Sequence, residues 1–209
     1  MSLSNDKEEI KKIRRKSLKM MEYVMFPLMF GLISVADKVI LVLMTEKWMF
    51  TVPYVRIACL SAIIGTLGTT LIQEVKAIGR SDITLKIELI KKPIFFVIAI
   101  IAMKIGVMAI AWTLVIDEII AFCFNVYPVK KYIGFNFKMH LQDALPSLMS
   151  AIVMATVVIC VGFLVENTLI ALIMQVFIGG VVYVALSIIT KNESFGYLKE
   201  LVTCKFKRG

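Results

Sequence analysis

The chain holds one histidine and four scattered cysteines, and it has no glycine-rich phosphate loop. These absences remove most enzyme chemistries. Cys59, Cys123 and Cys160 lie inside apolar runs and Cys204 in the polar tail. Without a CxxC pair or a Cys/His cluster, neither a disulfide framework nor a metal site is expected. His140 stands in a polar segment without a metal-ligand companion or nucleophile at a useful spacing. No Walker lysine or zincin pattern accompanies it. No catalytic residue and no cofactor is therefore expected. A secretory leader is not expected either. The first apolar run follows a polar arm and is longer than the roughly 7–15 residues of a signal h-region.

Acidic residues are scarce: 15 Asp and Glu face 24 Lys and Arg, for a net charge of +9. Such a balance can signal nucleic acid. Here the basic residues flank apolar runs and carry no base-stacking platform, so attraction to anionic lipid headgroups is the simpler account.

What the chain has in abundance is apolar length: 59% of its residues are hydrophobic and its mean hydropathy is +0.87. Six runs stand out, at Met20–Met44, Val52–Ile72, Leu85–Met103, Val107–Tyr127, Pro146–Val165 and Thr168–Ile189. A helix of about 20 apolar residues spans the bilayer core. Only a helix satisfies its backbone hydrogen bonds within one segment. The expected fold is all-α, a polytopic membrane bundle of six transmembrane helices over 20–190. A basic arm over 1–19 precedes it and a tail over 191–209 follows.

Charge gives the orientation. The arm, the second and fourth gaps and the tail hold every Lys and Arg except Lys38, Lys47, Arg56 and Lys104. Cations resist crossing, so both termini and the even-numbered gaps are expected on the cytoplasmic side. The third span is the hardest to place. Its helix must start near Leu85 and let Lys86, Lys91 and Lys92 snorkel to the interface. A single helix from Pro93 to Tyr127 would run roughly 50 Å, too long for a membrane, so Lys104-Ile105-Gly106 is read as a turn.

Local signals fill in the rest. Residues 1–19 suit either a short helix or a solvated linker. Ser81 or Asp82 could cap the helix after the Gly79-Arg80 turn. The fourth gap, Pro128–Leu145, mixes aromatic and basic residues and reads as a segment on the membrane surface, with Pro146 opening the fifth helix. Glu166-Asn167 reads as a tight hairpin. Ser61, Gly65 and Thr69, with Gly68 beside them, mark a close helix contact, as do Gly179 and Gly180.

Ionisable residues at membrane depth are costly and tend to face a protein interior or a wet cavity. Asp117 and Glu118 lie halfway along the fourth span, with Thr113 and Asn125 near the same face. They form either a polar stripe toward a cavity or a structural tie between helices. Asp37 and Lys38 lie toward the outer end of the first span, and Arg56 lies one turn into the second. An Asp37–Arg56 contact or a Lys38–cavity contact competes with plain snorkelling. Gln73, Glu74 and Lys76 close the second span and could meet an anionic headgroup or simply be solvated.

Several motifs resemble bacterial polysaccharide and lipopolysaccharide (O-antigen type) flippases of the multidrug/oligosaccharidyl-lipid/polysaccharide exporter superfamily. They are Met25-Phe26-Pro27-Leu28-Met29-Phe30-Gly31-Leu32, Val35-Ala36-Asp37, Glu46-Lys47-Trp48, Lys76-Ala77-Ile78-Gly79-Arg80-Ser81-Asp82 and Leu85-Lys86-Ile87-Glu88-Leu89-Ile90-Lys91-Lys92. The onward spacing to Asn125, Tyr127, Lys130, Lys131 and Gly134 fits as well. The resemblance implies the C-terminal part of such a protein: helices of the second lobe plus the last two helices. It implies residence in the bacterial cytoplasmic (inner) membrane and flipping of a polyprenyl-diphosphate-linked oligosaccharide by alternating access. A separate N-terminal lobe would supply the other cavity wall, and a glycan polymerase or glycosyltransferases would be further partners. Asp37, Lys38, Arg56, Gln73, Asp117, Glu118 and Asn125 are the candidate cavity residues. A non-transporting scaffold or degenerate remnant, and a membrane-embedded lipid-linked sugar transferase, are the alternatives.

Overall fold

The computed structural model describes residues 2–77, 79–133, 137–190 and 194–196. Among these every regular element is helical. The order is α1 (Ser2–Met44), a 3₁₀ helix (Glu46–Thr51), α2 (Val52–Ala77), α3 (Ser81–Ile105), α4 (Val107–Ile133), α5 (Phe137–Leu164) and α6 (Thr168–Ile189).

Five segments are long and apolar enough to cross a membrane: Lys19–Met44, Glu46–Gln73, Val107–Pro128, Leu141–Leu164 and Thr168–Ile189. Their outer faces stay apolar and exposed, with Phe163 87% and Phe177 73% accessible. Unpartnered apolar surface on that scale is a membrane-facing feature. The chain is a membrane protein. Of the six expected spans, α3 is the one outside this set, because Lys86, Glu88, Lys91 and Lys92 interrupt its apolar run. It is nonetheless one helix of 25 residues. It ends at Gly106, whose φ of 141° suits glycine and lets α4 start at the next residue. The turn expected there is present, and the single long helix is not.

Three local expectations need correction. Pro146 does not open the fifth helix, which begins at Phe137 and runs through it. Pro128 likewise lies inside α4. Proline is tolerated within membrane helices; the carbonyl that Pro146 leaves without an N–H partner is the one four residues before it, and Ser150 returns its hydroxyl to the Pro146 carbonyl at 2.8 Å. Neither Ser81 nor Asp82 caps α3. Arg80 occupies the cap without a side-chain bond, and Asp82 accepts from Arg80 Nε at 3.3 Å instead. Residues 2–19 are helical, as one of the two readings of the basic arm has it, and run without a break into the first membrane-length segment. The hairpin before α6 is confirmed. Asn167 caps it, its side-chain oxygen accepting from the Leu169 and Ile170 amides.

α1 packs on α2, α5 and α6, while α2 packs on α4 and α3 flanks α4. The main core joins α1, α5 and α6 through Tyr23, Phe26, Ala151, Met154, Val158 and Tyr183. A smaller one joins Leu71 and Val75 of α2 to Ile83, Phe122 and Val126. Several hydroxyls at membrane depth are returned to their own helix. Ser34 donates to Phe30 O, Thr66 to Ala62 O and Thr156 to Ile152 O, four residues back in each case.

The small residues of α2 seat α4. Ser61 Oγ donates to Leu114 O at 3.3 Å, and a Cβ on Gly68 would touch the Phe122 backbone at 3.7 Å. Close approach at small residues holds helices together where apolar burial cannot. Gly179 plays the same part between α6 and α5, where an added Cβ would come within 2.9 Å of Val158 Cγ2. Gly180 faces open space.

Candidate functional site

Ser34, Asp37 and Lys38 sit at positions i, i+3 and i+4 of α1, so they share one face. That face meets Arg56 of α2, Gly162 of α5 and Gln175 of α6 around a recess of about 400 Å³. Gly162 lies in the last turn of α5, whose carbonyls have no partner within the helix. Lys38 Nζ donates to the Gly162 carbonyl at 2.9 Å. The ammonium thus also meets the negative end of the helix dipole. Arg56 Nε donates to Ile33 O at 3.2 Å. Its Nη2 stands 3.8 Å from Asp37 Oδ1, with both side chains nearly half exposed. At that distance and exposure the pair adds little stability and stays available to other groups.

Gln175 is 2% exposed. Its Nε2 donates to Val158 O at 2.8 Å, while its buried Oε1 has no hydrogen-bond partner. A Cβ at position 162 would collide with the Gln175 amide nitrogen and come within 2.9 Å of Lys38 Nζ. The absence of a side chain at Gly162 therefore makes the recess possible. An unpaired acceptor is costly in a low-dielectric interior and marks where a hydrogen-bond donor fits.

The recess unites three of the residues singled out from sequence, Asp37, Lys38 and Arg56. It does not include the others. Glu118 lies at the α2–α4 contact, where a Cβ on Gly65 would come within 2.9 Å of its Cδ. Asp117 beside it is half-buried, and Lys91 and Glu88 of α3 are within electrostatic reach of Glu118. Asn125 is buried and donates to Gly68 O at 3.2 Å. Thr113 Oγ1 donates to Ile110 O at 2.7 Å. Gln73 is exposed at the end of α2. The side chains of Glu74 and His140, and all of Cys204, lie outside the described residues.

Sequence reasoning missed Gln175. One signal could have found it: Ala171, Gln175, Gly179, Tyr183 and Ser187 form the buried stripe of α6 at every fourth residue. A second polar cluster was also missed, at the other end of the membrane-length segment of α1. Glu22 is 1% exposed and within electrostatic reach of Lys19 and Asp143. Lys19 Nζ stands 3.1 Å from Asp143 Oδ1. Beside them Tyr23 donates to Ser187 Oγ at 2.9 Å, and Tyr183 donates to the Tyr23 carbonyl at 2.7 Å. Ser194 donates to the Lys19 carbonyl at 3.3 Å. These bonds tie α1 to α5, α6 and the helical residues 194–196. Among the described residues no three His, Cys, Asp or Glu side chains are grouped to hold a metal ion.

Comparison with known proteins adds the biological setting. A family model described as a polysaccharide biosynthesis protein matches residues 1–53. A protein of Klebsiella pneumoniae described as an uncharacterized membrane protein in the cps region is 22% identical over 212 residues. That alignment covers 95% of this chain and 42% of the relative, so the chain spans less than half the relative's length. No solved structure matches. The chain is thus similar to membrane proteins of polysaccharide biosynthesis, in keeping with the exporter-type family that its motifs resemble.

Proposed function

We propose that this chain forms one part of an exporter that flips a lipid-linked oligosaccharide across the cytoplasmic membrane, with both termini on the cytoplasmic side. It acts as a transporter and not as an enzyme. The observation that carries this reading is the recess, where Lys38, Arg56, Asp37 and Gln175 gather among four helices that each contain a membrane-length segment. Cations in such a place favour a diphosphate through charge-assisted bonds. The neighbouring carboxylate and amide suit the hydroxyls of a sugar, while the polyprenyl tail remains in lipid. Access would alternate by rocking against a second lobe. In this reading the second lobe is an N-terminal one and the helices described here do not transport without it; the chain covers 42% of its Klebsiella relative.

The test is complementation in a bacterium that lacks its own flippase. The chain is expressed with and without the part of the relative that the alignment leaves uncovered, and surface glycan is measured. Export from the pair only is the expected result; export from this chain alone would refute the incapacity. In the active pair, Lys38→Ala with Arg56→Ala abolishes export while membrane insertion is unchanged. Unchanged export in that variant would remove the recess from the mechanism.

One observation favours the scaffold reading: Glu118 and Asn125 are engaged at a helix contact and not at the recess. Replacing Asp37 and Arg56 together by Ala, which leaves the helix seam intact, separates the two. A scaffold keeps its phenotype and partners, and a flippase loses glycan export.

A further inference from the structure

A second concavity lies away from the recess, between α3 and α4, with a volume of about 600 Å³. Its walls are apolar, formed chiefly by Ile83, Ile87 and Ile90 of α3 and Phe124 of α4. Its mouth carries Arg80 and Lys86. Arg80 Nε is 3.3 Å from Asp82 Oδ1, but Lys86 is exposed and makes no ion pair among the described residues. Of the charged residues that line the groove, Arg80 and Lys86 are cationic and Asp82 is acidic.

Three further features bear on this groove. α3 begins here, at Ser81, with no side-chain cap, so the positive end of its dipole borders the groove. Exposed Lys76 near the end of α2 and Lys130 near the end of α4 belong to the same end of the bundle. Tyr127, 69% exposed, lines the groove one residue before the end of the membrane-length segment of α4, a position that suits an interfacial ring. A cationic mouth on an apolar trough complements one kind of molecule: a negative headgroup on a hydrocarbon chain. Basic pockets between membrane helices recognise anionic lipids in this way.

We propose that the α3–α4 groove is a binding site for an anionic glycerophospholipid of the phosphatidylglycerol type. Its phosphate is held by Arg80 and Lys86 at the start of α3, and an acyl chain lies along Ile83, Ile87 and Ile90. The bound lipid covers the flank of α3, the helix whose charges set it apart from the five apolar spans. This assignment is independent of the recess on α1, so either can fail without the other.

The full chain is purified in a non-ionic detergent and given equal amounts of phosphatidylglycerol and phosphatidylethanolamine, and retained lipid is counted by native mass spectrometry. The expected result is preferential retention of phosphatidylglycerol. Arg80→Ala with Lys86→Ala lowers that retention on the order of tenfold, while Lys104→Ala, at the other end of α3, leaves it unchanged. Cys123→Trp, which fills the groove from an exposed position on α4, lowers it with both cations intact. Equal retention of the two lipids overturns the proposal. So does a double variant that keeps phosphatidylglycerol, full competition by free glycerol 3-phosphate, or displacement by an equal amount of polyprenyl phosphate. Should the double variant fail to fold, Cys123→Trp and Lys86→Gln decide the matter by the same readout.

Discussion

Adding a single methyl group at Gly162 tests the construction of the recess. In Gly162→Ala the new Cβ collides with Gln175 Nε2 and lies 2.9 Å from Lys38 Nζ. The lysine is long and can withdraw from the carbonyl that it caps. The glutamine is buried and cannot reach water, so it must leave Val158 O or push α6 outward. Overpacking a tight site costs about 1–3 kcal/mol, and a buried amide deprived of its partner costs a similar amount. The expected destabilisation is about 2 kcal/mol or more. The assay is unfolding of the detergent-solubilised protein in increasing SDS, followed by tryptophan fluorescence from Trp48 and Trp112. Specificity comes from a double-mutant cycle. Gln175→Ala clears the space, so Gly162→Ala in that background should cost less than about 1 kcal/mol, a coupling of the size seen for residues in contact. If the methyl costs the same in both backgrounds, Gln175 does not lie over Gly162, and its amide is not a wall of the recess.

Other tests address the rest of the bundle. Gly68→Leu forces α4 away from α2 and should lower stability by about 1–3 kcal/mol; Gly180→Leu, which meets open space, should fall within about 0.5 kcal/mol of wild type in the same SDS titration. Tyr183→Phe removes the 2.7 Å bond to the Tyr23 carbonyl and should cost about 1 kcal/mol with no loss of membrane insertion. For orientation, Glu166→Cys should react with an impermeant maleimide in intact cells. Lys130→Cys should react only after permeabilisation, and the opposite pattern would invert the proposed topology.

Run length and hydropathy were enough to locate the helices, because a bilayer demands about 20 apolar residues whatever lies beside them. The α2–α4 contact was also legible, since Ser61, Gly65 and Gly68 advertise close approach without naming a partner. Prolines misled. Pro128 and Pro146 read as helix boundaries because in water they usually are, whereas here α4 and α5 run through them. The recess was half legible. Asp37, Lys38 and Arg56 stood out as charges in apolar runs, while Gln175 needed α5 and α6 to be folded before its role could be seen. The Tyr23–Ser187 bond joins residues 164 positions apart, a separation that no local pattern encodes. Glu118 illustrates another limit: its depth in a span suggested either a cavity residue or a tie between helices without choosing, and it lies at the α2–α4 seam.

α1 carries Lys38 at the recess and Lys19 at the distant polar cluster, and it is one unbroken helix between them. At 1.5 Å per residue the two lie about 28 Å apart along a single shaft. Both ends are fastened to the same neighbours: Lys38 to the close of α5, and Lys19 to Asp143 near its start. Turning the shaft to open one fastening therefore torques the other. Pro27, which stands between them, leaves the shaft one backbone hydrogen bond short, so the two ends of this membrane-length segment are geared together by one helix with one weak point.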